Sequence, residues 1–316
     1  MDSGHRVVGV DKLAANYDPR VKLANLAGLL RKDNFEFVCA DLGELDIASL
    51  LLRERVELIF HEAALAGVRD SWGSGFTRYV SDNIVATQKL LEACLAVPVR
   101  RLVFASSSSV YGAGENQSRD EPGARACDIA NGSATVAPTT EIHPTSPHSP
   151  YGVTKLAAES LCLAYYRNFD VPTVALRYFT VYGPRQRPDM AIHKLLDALC
   201  HDLPFSVYGD GGQRRDFTYV DDVIRANLLA AEATVETVAG KAFNIGCGRT
   251  WALLDVVREA EEVTGRKAVL RQDTSKSGDV PNTWADISRA NAILGWRPEI
   301  QLREGLERQF RWQSAE

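Results

Sequence analysis

Short runs of apolar, β-branched residues alternate with helical periodicity through the first half of the 316-residue chain. Strands that are apolar on both faces, with helices between them, are typical of a doubly wound parallel α/β sheet. The pattern predicts strands at residues 7–11, 35–41, 57–63, 101–107 and 172–179. Helical periodicity is clearest at 83–96 and 150–167.

After Thr180 the pattern loosens and predicts a smaller lobe of mixed α/β structure. Strands are expected near 205–208 and 242–245, and helices at about 221–235, 252–264 and 302–313. The segment 112–148 has no clean period and is rich in Gly, Ser, Thr and Pro. A loop of this length is consistent with a lid over a site or with a passive insertion, and the sequence does not separate the two.

Composition excludes several classes of function. A net charge of −5 does not favour nucleic acid or an anionic membrane as a partner. The six cysteines include no CxxC pair, which is typical of reduced thiols and predicts neither a disulfide framework nor a metal site. Without a bilayer-length apolar run or a signal peptide, we expect a cytoplasmic protein.

Two motifs carry candidate chemistry. Tyr151 and Lys155 form a YxxxK motif, whose spacing places both side chains on one face of a helix. The serine-rich turn SSSSVYG, residues 106–112, follows a predicted strand, at the end where parallel sheets bind their ligands. Each motif alone is weak, because an amphipathic helix or a polar turn would also contain it.

Four segments occur in a fixed order along the chain: SSSSVYG, SPYGVTK, RYFTVYGP and RRDFTYVDD. Together they resemble the extended short-chain dehydrogenases/reductases of the NAD-dependent epimerase/dehydratase family. The resemblance implies a Rossmann-type NAD-binding domain of residues 1–177 plus about 215–247. It further implies a nucleotide-sugar-binding lobe of residues 178–214 and 248–316, and a homodimer.

The resemblance also implies roles for individual residues. Tyr151 is the catalytic base, Lys155 lowers its pKa and holds the nicotinamide ribose, and Ser107 bonds the reacting oxygen. Asp11 ends a strand where a carboxylate binds the adenosine ribose, which favours NAD over NADP. Further cofactor contacts are implied for Asp41, Leu42, Ala63, Ala64, Asn83 and Tyr178.

For the substrate, the resemblance is closest to UDP-glucuronate 4-epimerases, through Thr180, the string GPRQRPDM at 183–190 and AGVR at 66–69. It implies that Arg69, Ser107, Ser108, Thr180, Arg187, Tyr208, Arg215 and Lys276 bind a UDP-sugar. Arg187 is expected at the C6 carboxylate, with a pyrophosphate contact as the alternative. Arg215 is expected to grip the diphosphate, and Tyr208 to stack on the uracil. Lys276 stands where relatives often have a second arginine.

The predicted reaction is C4 epimerisation. Dehydrating relatives place Asp-Glu after the catalytic hydroxyl, whereas this chain has Ser108 and Ser109. Elimination then lacks a proton carrier, while epimerisation needs none beyond the tyrosine. UDP-glucuronate is the expected substrate. UDP-glucose or a UDP-hexosamine is the alternative, and a truncated, non-catalytic binding protein is the alternative of another class.

The chain has no G-x-x-G-x-x-G string, so strand 7–11 is interpreted as the second strand of the dinucleotide-binding unit. In the order 3-2-1-4-5-6 the first strand is central, and its loop holds the cofactor pyrophosphate. We therefore expect two unpaired strand edges, weak NAD binding and marginal stability. We also expect a βα unit of about 25 residues encoded upstream in the same frame.

Overall fold

The computed structural model describes residues 4–112, 137–274 and 278–315. Their strands are β1 Val7–Asp11, β2 Phe35–Cys39, β3 Leu58–His61, β4 Arg101–Ser107, β5 Thr173–Tyr178, β6 Thr180–Tyr182, β7 Pro204–Tyr208, β8 Arg214–Arg215, β9 Phe217–Tyr219, β10 Lys241–Ile245, β11 Trp251–Ala252 and β12 Val269–Asp273. Their α-helices are α1 Pro19–Ala27, α2 Ile47–Glu54, α3 Phe76–Tyr79, α4 Ala86–Ala96, α5 Pro150–Phe169, α6 Ala191–His201, α7 Val220–Glu232, α8 Val235–Val238, α9 Leu253–Thr264, α10 Ser288–Leu294 and α11 Leu302–Gln313.

The largest sheet is parallel, in the order β10-β5-β4-β3. Successive residues of β4 enter cores on opposite faces, because side chains alternate along a strand. Leu102 and Phe104 pack in a core that includes Leu91 of α4 and Ala158 of α5. Val103 packs in a second core with residues of α7 and β10. Helices therefore cover both faces, which confirms the predicted α/β class.

Strands β1 and β2 form a separate parallel pair. Within the described residues, no strand pairs with the second edge of β1 or of β3. The predicted sheet is thus present as two parallel pieces, as expected for a strand order whose central position is unfilled. The ion pair of Arg6 with Glu54 connects the β1–β2 pair to α2.

A further core lies in the second half of the chain, where β7 and β9 pack with α6, α9 and α11. The large buried side chains of α6 are Ile192, Leu195, Leu196 and Leu199. Their helical spacing places them on one face of α6, so this face is the one that is buried.

The predicted elements agree with the structure to within a few residues, and strand 101–107 agrees at both ends. Helix 83–96 differs, because its first turn is a π-helix at Val80–Val85 before α4 begins. Most of the segment 112–148 lies outside the described residues, so its role as a lid or an insertion stays open. No helix in the described ranges is both long and apolar enough to cross a membrane.

Candidate active site

The serine-rich turn begins at the carboxyl end of β4. Ser107 is extended, and its hydroxyl accepts a hydrogen bond from the backbone N–H of Ser109 at 3.1 Å. A short 3-10 turn follows at Ser108–Val110. This turn holds the Ser107 and Ser108 side chains at the edge of the sheet, where both line a cavity of about 880 Å³.

Helix α5 begins against this turn. Ser149 caps it by accepting from the N–H of Gly152 at 3.1 Å, and Pro150 occupies its first position. A Cβ on Gly152 would lie 2.6 Å from the carbonyl oxygen of Ser109. Only glycine therefore lets the start of α5 pack this closely, and the close packing brings Tyr151 beside Ser107.

The side chains of Tyr151 and Ser107 line the same cavity. Burial raises the pKa of Tyr151, while the Ser107 hydroxyl and the positive charge of Arg187 act in the opposite direction. The lowering of this pKa that the resemblance assigns to Lys155 in the NAD-bound enzyme stays a prediction. In the ligand-free protein, the desolvation of the phenol outweighs the charges around it.

Lys155 is buried one turn further along α5. Its Nζ lies 4.7 Å from the ring centroid of Phe104. Burial lowers the pKa of Lys155 to about 8, against the opposing charge of Glu62. The site therefore places this ammonium in a dry environment, where its charge interacts more strongly with its neighbours.

Glu62, which the sequence analysis did not single out, also lines the large cavity. Its carboxylate is 2.9 Å from the hydroxyl of Tyr178, which also lies 2.9 Å from Oδ1 of Asn227. Burial raises the pKa of Glu62. Nothing in the sequence around Glu62 separates it from an ordinary acidic residue after a strand, because the contacts that define it come from β5 and α7.

Thr180, Arg187 and Arg215 line the same cavity as Ser107 and Tyr151. The Arg187 guanidinium donates to the carbonyl of Ala66 at 3.2 Å and to Asp189 at 2.9 Å. Its side chain is 25% exposed, so the charge remains accessible from the cavity. The structure therefore brings the predicted carboxylate-binding residues to the predicted base.

At the far end of the cavity, Arg69 pairs with Asp279 at 2.8 Å. Its guanidinium lies 4.3 Å from the ring centroid of Tyr208. Burial lowers the pKa of Arg215, and the carboxylate of Asp279 opposes that shift. Lys276, the other predicted contact in this region, lies outside the described residues.

A second, smaller cavity of about 90 Å³ lies at the ends of β1, β2 and β3. It is lined by the predicted cofactor contacts Asp11, Asp41, Leu42, Ala63 and Ala64. Lys12, which the sequence analysis missed, bridges Asp41 at 3.0 Å and Asp82 at 2.7 Å. The Asp11 carboxylate accepts through Oδ1 from the N–H of Leu13 at 2.6 Å.

Asn83 was predicted as a cofactor contact, but in the structure its side-chain amide bonds to other residues of the protein, Leu65 and Thr154. Its side chain accepts from the N–H of Leu65 at 2.7 Å and donates to the carbonyl of Leu65 and to Thr154, each at 3.0 Å. Both amide hydrogens are thereby used. The structure gives Asn83 a positioning role, and a direct contact with a cofactor stays a prediction.

The residues fit a dinucleotide at both of its ends. Asp11 and Asp41 supply carboxylates in the smaller cavity, and Tyr151 and Tyr178 supply hydroxyls in the larger one. The glycine string that would hold the pyrophosphate between these ends does not occur in the 316 residues.

Known proteins are similar to this chain over nearly its whole length. The chain is 41% identical, over 99% of its length, to the uncharacterized UDP-glucose epimerase YtcB of Bacillus subtilis, and covers 92% of that relative. It is 33% identical, over the same share, to the UDP-glucuronate 4-epimerase of Thermodesulfobacterium geofontis, covering 90% of it.

Among solved structures, the chain is similar to the UDP-glucuronic acid 4-epimerase from Bacillus cereus in complex with UDP-glucuronic acid and NAD. The TM-score is 0.88 at 38% identity, with 99% of this chain and 92% of the other covered. The model of the NAD dependent epimerase/dehydratase family matches residues 1–246. The chain therefore belongs to the NAD dependent epimerase/dehydratase family.

Proposed function

We propose that the chain is an isomerase that catalyses NAD-dependent C4 epimerisation of a UDP-sugar, with UDP-glucuronate and UDP-galacturonate as the interconverted pair. One observation carries the proposal. Ser107 and Tyr151 line one cavity with the cation of Arg187, and Ser108 and Ser109 follow Ser107 where an elimination enzyme needs acids.

Tyr151 accepts the proton of the C4 hydroxyl and later returns it to the C4 oxygen. NAD held beside the sugar would supply the hydride acceptor and then the hydride donor for C4, with removal from one face of the sugar and return to the other. Ser107 hydrogen-bonds the C4 oxygen while C4 is a ketone, which keeps that oxygen beside Tyr151. The 4-keto sugar turns over in the cavity between the two transfers, so the net reaction inverts C4 alone.

The preference for a carboxylated sugar is assigned to Arg187, with Ser108 and Thr180 as further donors. A neutral C6 hydroxymethyl group would offer this guanidinium no ionic contact beyond the one that it already makes with Asp189. The alternative substrates are UDP-glucose and the UDP-hexosamines, and the name of the Bacillus subtilis relative supports the first of them.

The remaining assignments belong to the same proposal. Asp11, Asp41, Leu42, Ala63 and Ala64 hold the adenosine end of NAD, and Lys155 and Tyr178 its nicotinamide end. Residues 1–177 plus about 215–247 form the NAD-binding domain, and residues 178–214 and 248–316 the sugar-nucleotide lobe. We further propose a cytoplasmic homodimer.

The test is to incubate the chain with NAD and, separately, UDP-glucuronate, UDP-glucose and UDP-N-acetylglucosamine, and to separate the C4 epimers by chromatography. We expect UDP-galacturonate to form fastest. Tyr151→Phe should abolish turnover while sugar-nucleotide binding persists, because it removes the base and little volume. Turnover by Tyr151→Phe would refute the assignment of Tyr151 as acid and base. Conversion of UDP-glucose faster than that of UDP-glucuronate would refute the proposed substrate.

A further inference from the structure

A buried ion pair lies directly beneath the proposed site. Arg177 of β5 donates from Nη2 to Oε1 of Glu159 at 2.5 Å and from Nε to Oε2 at 3.0 Å. The two side chains are 8% and 2% exposed. Glu159 follows Lys155 by one helical turn and Tyr151 by two, so the pair anchors the helix that carries the proposed base.

The same pair holds both ends of the serine-rich turn. Oε2 of Glu159 accepts from the hydroxyl of Ser106 at 2.5 Å. Nη1 of Arg177 donates to the hydroxyl of Tyr111 at 2.7 Å, and Tyr111 donates to Oδ1 of Asn244 at 2.7 Å. Ser106 and Tyr111 flank the segment that begins with Ser107, so Ser107 is fixed from both sides.

Stability alone does not explain this arrangement. A buried ion pair is costly to desolvate, and apolar residues of similar volume are often equally stabilising. Apolar residues, however, would not fix a hydroxyl of the turn to a carboxylate of α5. A fully bonded polar network does so, because each hydrogen bond has a narrow range of distance and angle.

We infer that Arg177 is a positioning residue, which sets the distance between Ser107 and Tyr151 by tying the serine-rich turn to α5 through Glu159 and Tyr111. The inference rests on the proposed function for its meaning in catalysis. The geometry that it describes belongs to the protein without ligands and is measurable there.

The test is the ionisation of Tyr151 in the full 316-residue chain without ligands. It is followed by absorbance at high pH, as the difference between each protein and the same protein carrying Tyr151→Phe. Arg177→Lys keeps the positive charge but cannot bond Glu159 and Tyr111 together. We expect it to raise the pKa of Tyr151, because it moves the Ser107 hydroxyl, which favours the phenolate, away from the phenol. Two other groups near Tyr151 are the same in every variant and so cannot cause the difference. They are Arg187 and Tyr79, and the ring of Tyr79 lies 6.3 Å from that of Tyr151.

A double-mutant cycle separates positioning from a general loss of structure. In a Ser107→Ala background, Arg177→Lys should leave the Tyr151 pKa where Ser107→Ala alone puts it. Arg101→Lys is the matched control, since Arg101 is a buried arginine, 1% exposed, at the opposite end of β4. It should not change the Tyr151 pKa. An equal shift from Arg101→Lys, or a shift that persists without Ser107, would overturn the inference.

Tyr111→Phe is the second variant, needed if Arg177→Lys does not fold. It removes one hydroxyl, changes no charge and keeps the Arg177–Glu159 pair. We expect a smaller rise in the Tyr151 pKa, again absent in the Ser107→Ala background. With UDP-glucuronate and NAD, both variants should lower kcat by on the order of 10- to 100-fold with little change in KM, as for a misplaced catalytic group. If no sugar is turned over, the proposed function fails while the titration still decides the positioning.

Discussion

The guanidinium of Arg69 lies over the ring of Tyr208, 4.3 Å from its centroid, while its charge is paired with Asp279. This ring is the surface on which the resemblance places a uracil base. A base that stacks on the same face has to displace Arg69 first. The stacked guanidinium keeps the ring covered in the ligand-free protein and presents a cation near Arg215.

The role of Tyr208 is tested by binding of UDP, which lacks the sugar. Tyr208→Ala should weaken binding by about 1–3 kcal/mol, the range for a base stacked on an aromatic ring. Tyr208→Phe keeps the ring and should bind as the parent does. Isothermal titration calorimetry measures both, and equal affinities for all three proteins would place the base elsewhere.

Arg187 is tested by comparing two ligands that share the nucleotide. Arg187→Ala should weaken UDP-glucuronate binding by about 1.5–3 kcal/mol, the range for a hydrogen bond to a charged group. UDP-glucose has no carboxylate and should lose far less. Equal losses would assign Arg187 to the pyrophosphate and the chain to the UDP-glucose alternative, and no loss for either ligand would remove Arg187 from the site.

Lys155 makes stability depend on pH in a defined window. Its pKa is about 8 in the folded chain and 10.5 in an ordinary environment, so the folded state disfavours the charged form. At pH 7 the lysine is charged in both the folded and the unfolded state. The free energy of unfolding of Lys155→Met should therefore exceed that of the parent chain by on the order of 3 kcal/mol.

That difference should disappear as the pH rises from 8 to 10.5, because the unfolded chain then holds a proton that the folded chain has released. Urea unfolding of both proteins at several pH values measures it. Tyrosine titration is common to the two chains and cancels. A difference that stays constant over the window would contradict the lowered pKa.

Gly152 is predicted to tolerate no side chain. Gly152→Ala would set a Cβ 2.6 Å from the Ser109 carbonyl oxygen, so α5 must shift. We expect a loss of about 1–3 kcal/mol in the free energy of unfolding, typical of overpacking, together with reduced turnover. Gly28→Ala is the control, because a Cβ there has open space and the backbone is already helical. An unchanged stability in Gly152→Ala would show that the start of α5 can move freely.

Much of the fold was predictable because its signals are local. Alternating apolar runs define β4 and β5, and Ser149 with Pro150 marks the start of α5. The resemblance to the epimerase/dehydratase family also implied that Ser107, Tyr151 and Arg187 share one site, and all three line the same cavity.

What the sequence did not show depends on partners distant in the chain. Glu62 is hydrogen-bonded to Tyr178, and Lys12 is ion-paired with Asp82. Neither partner is a neighbour in the sequence. The raised pKa of Tyr151 in the ligand-free protein also did not follow from the sequence, because a spacing pattern shows a nearby charge but not how much water the fold excludes. Asn83 likewise gained its role from Leu65 and Thr154.

Helix α5 has one more consequence, which follows from where it begins. Its 20 residues align their peptide dipoles, so its N-terminal end carries a partial positive charge of about half an elementary unit. Tyr151 lies in that first turn, where a negative charge is stabilised by about 0.3–1 kcal/mol. This contribution to the phenolate comes from the backbone. It therefore does not titrate, needs no ligand, and survives the replacement of any single side chain around the phenol.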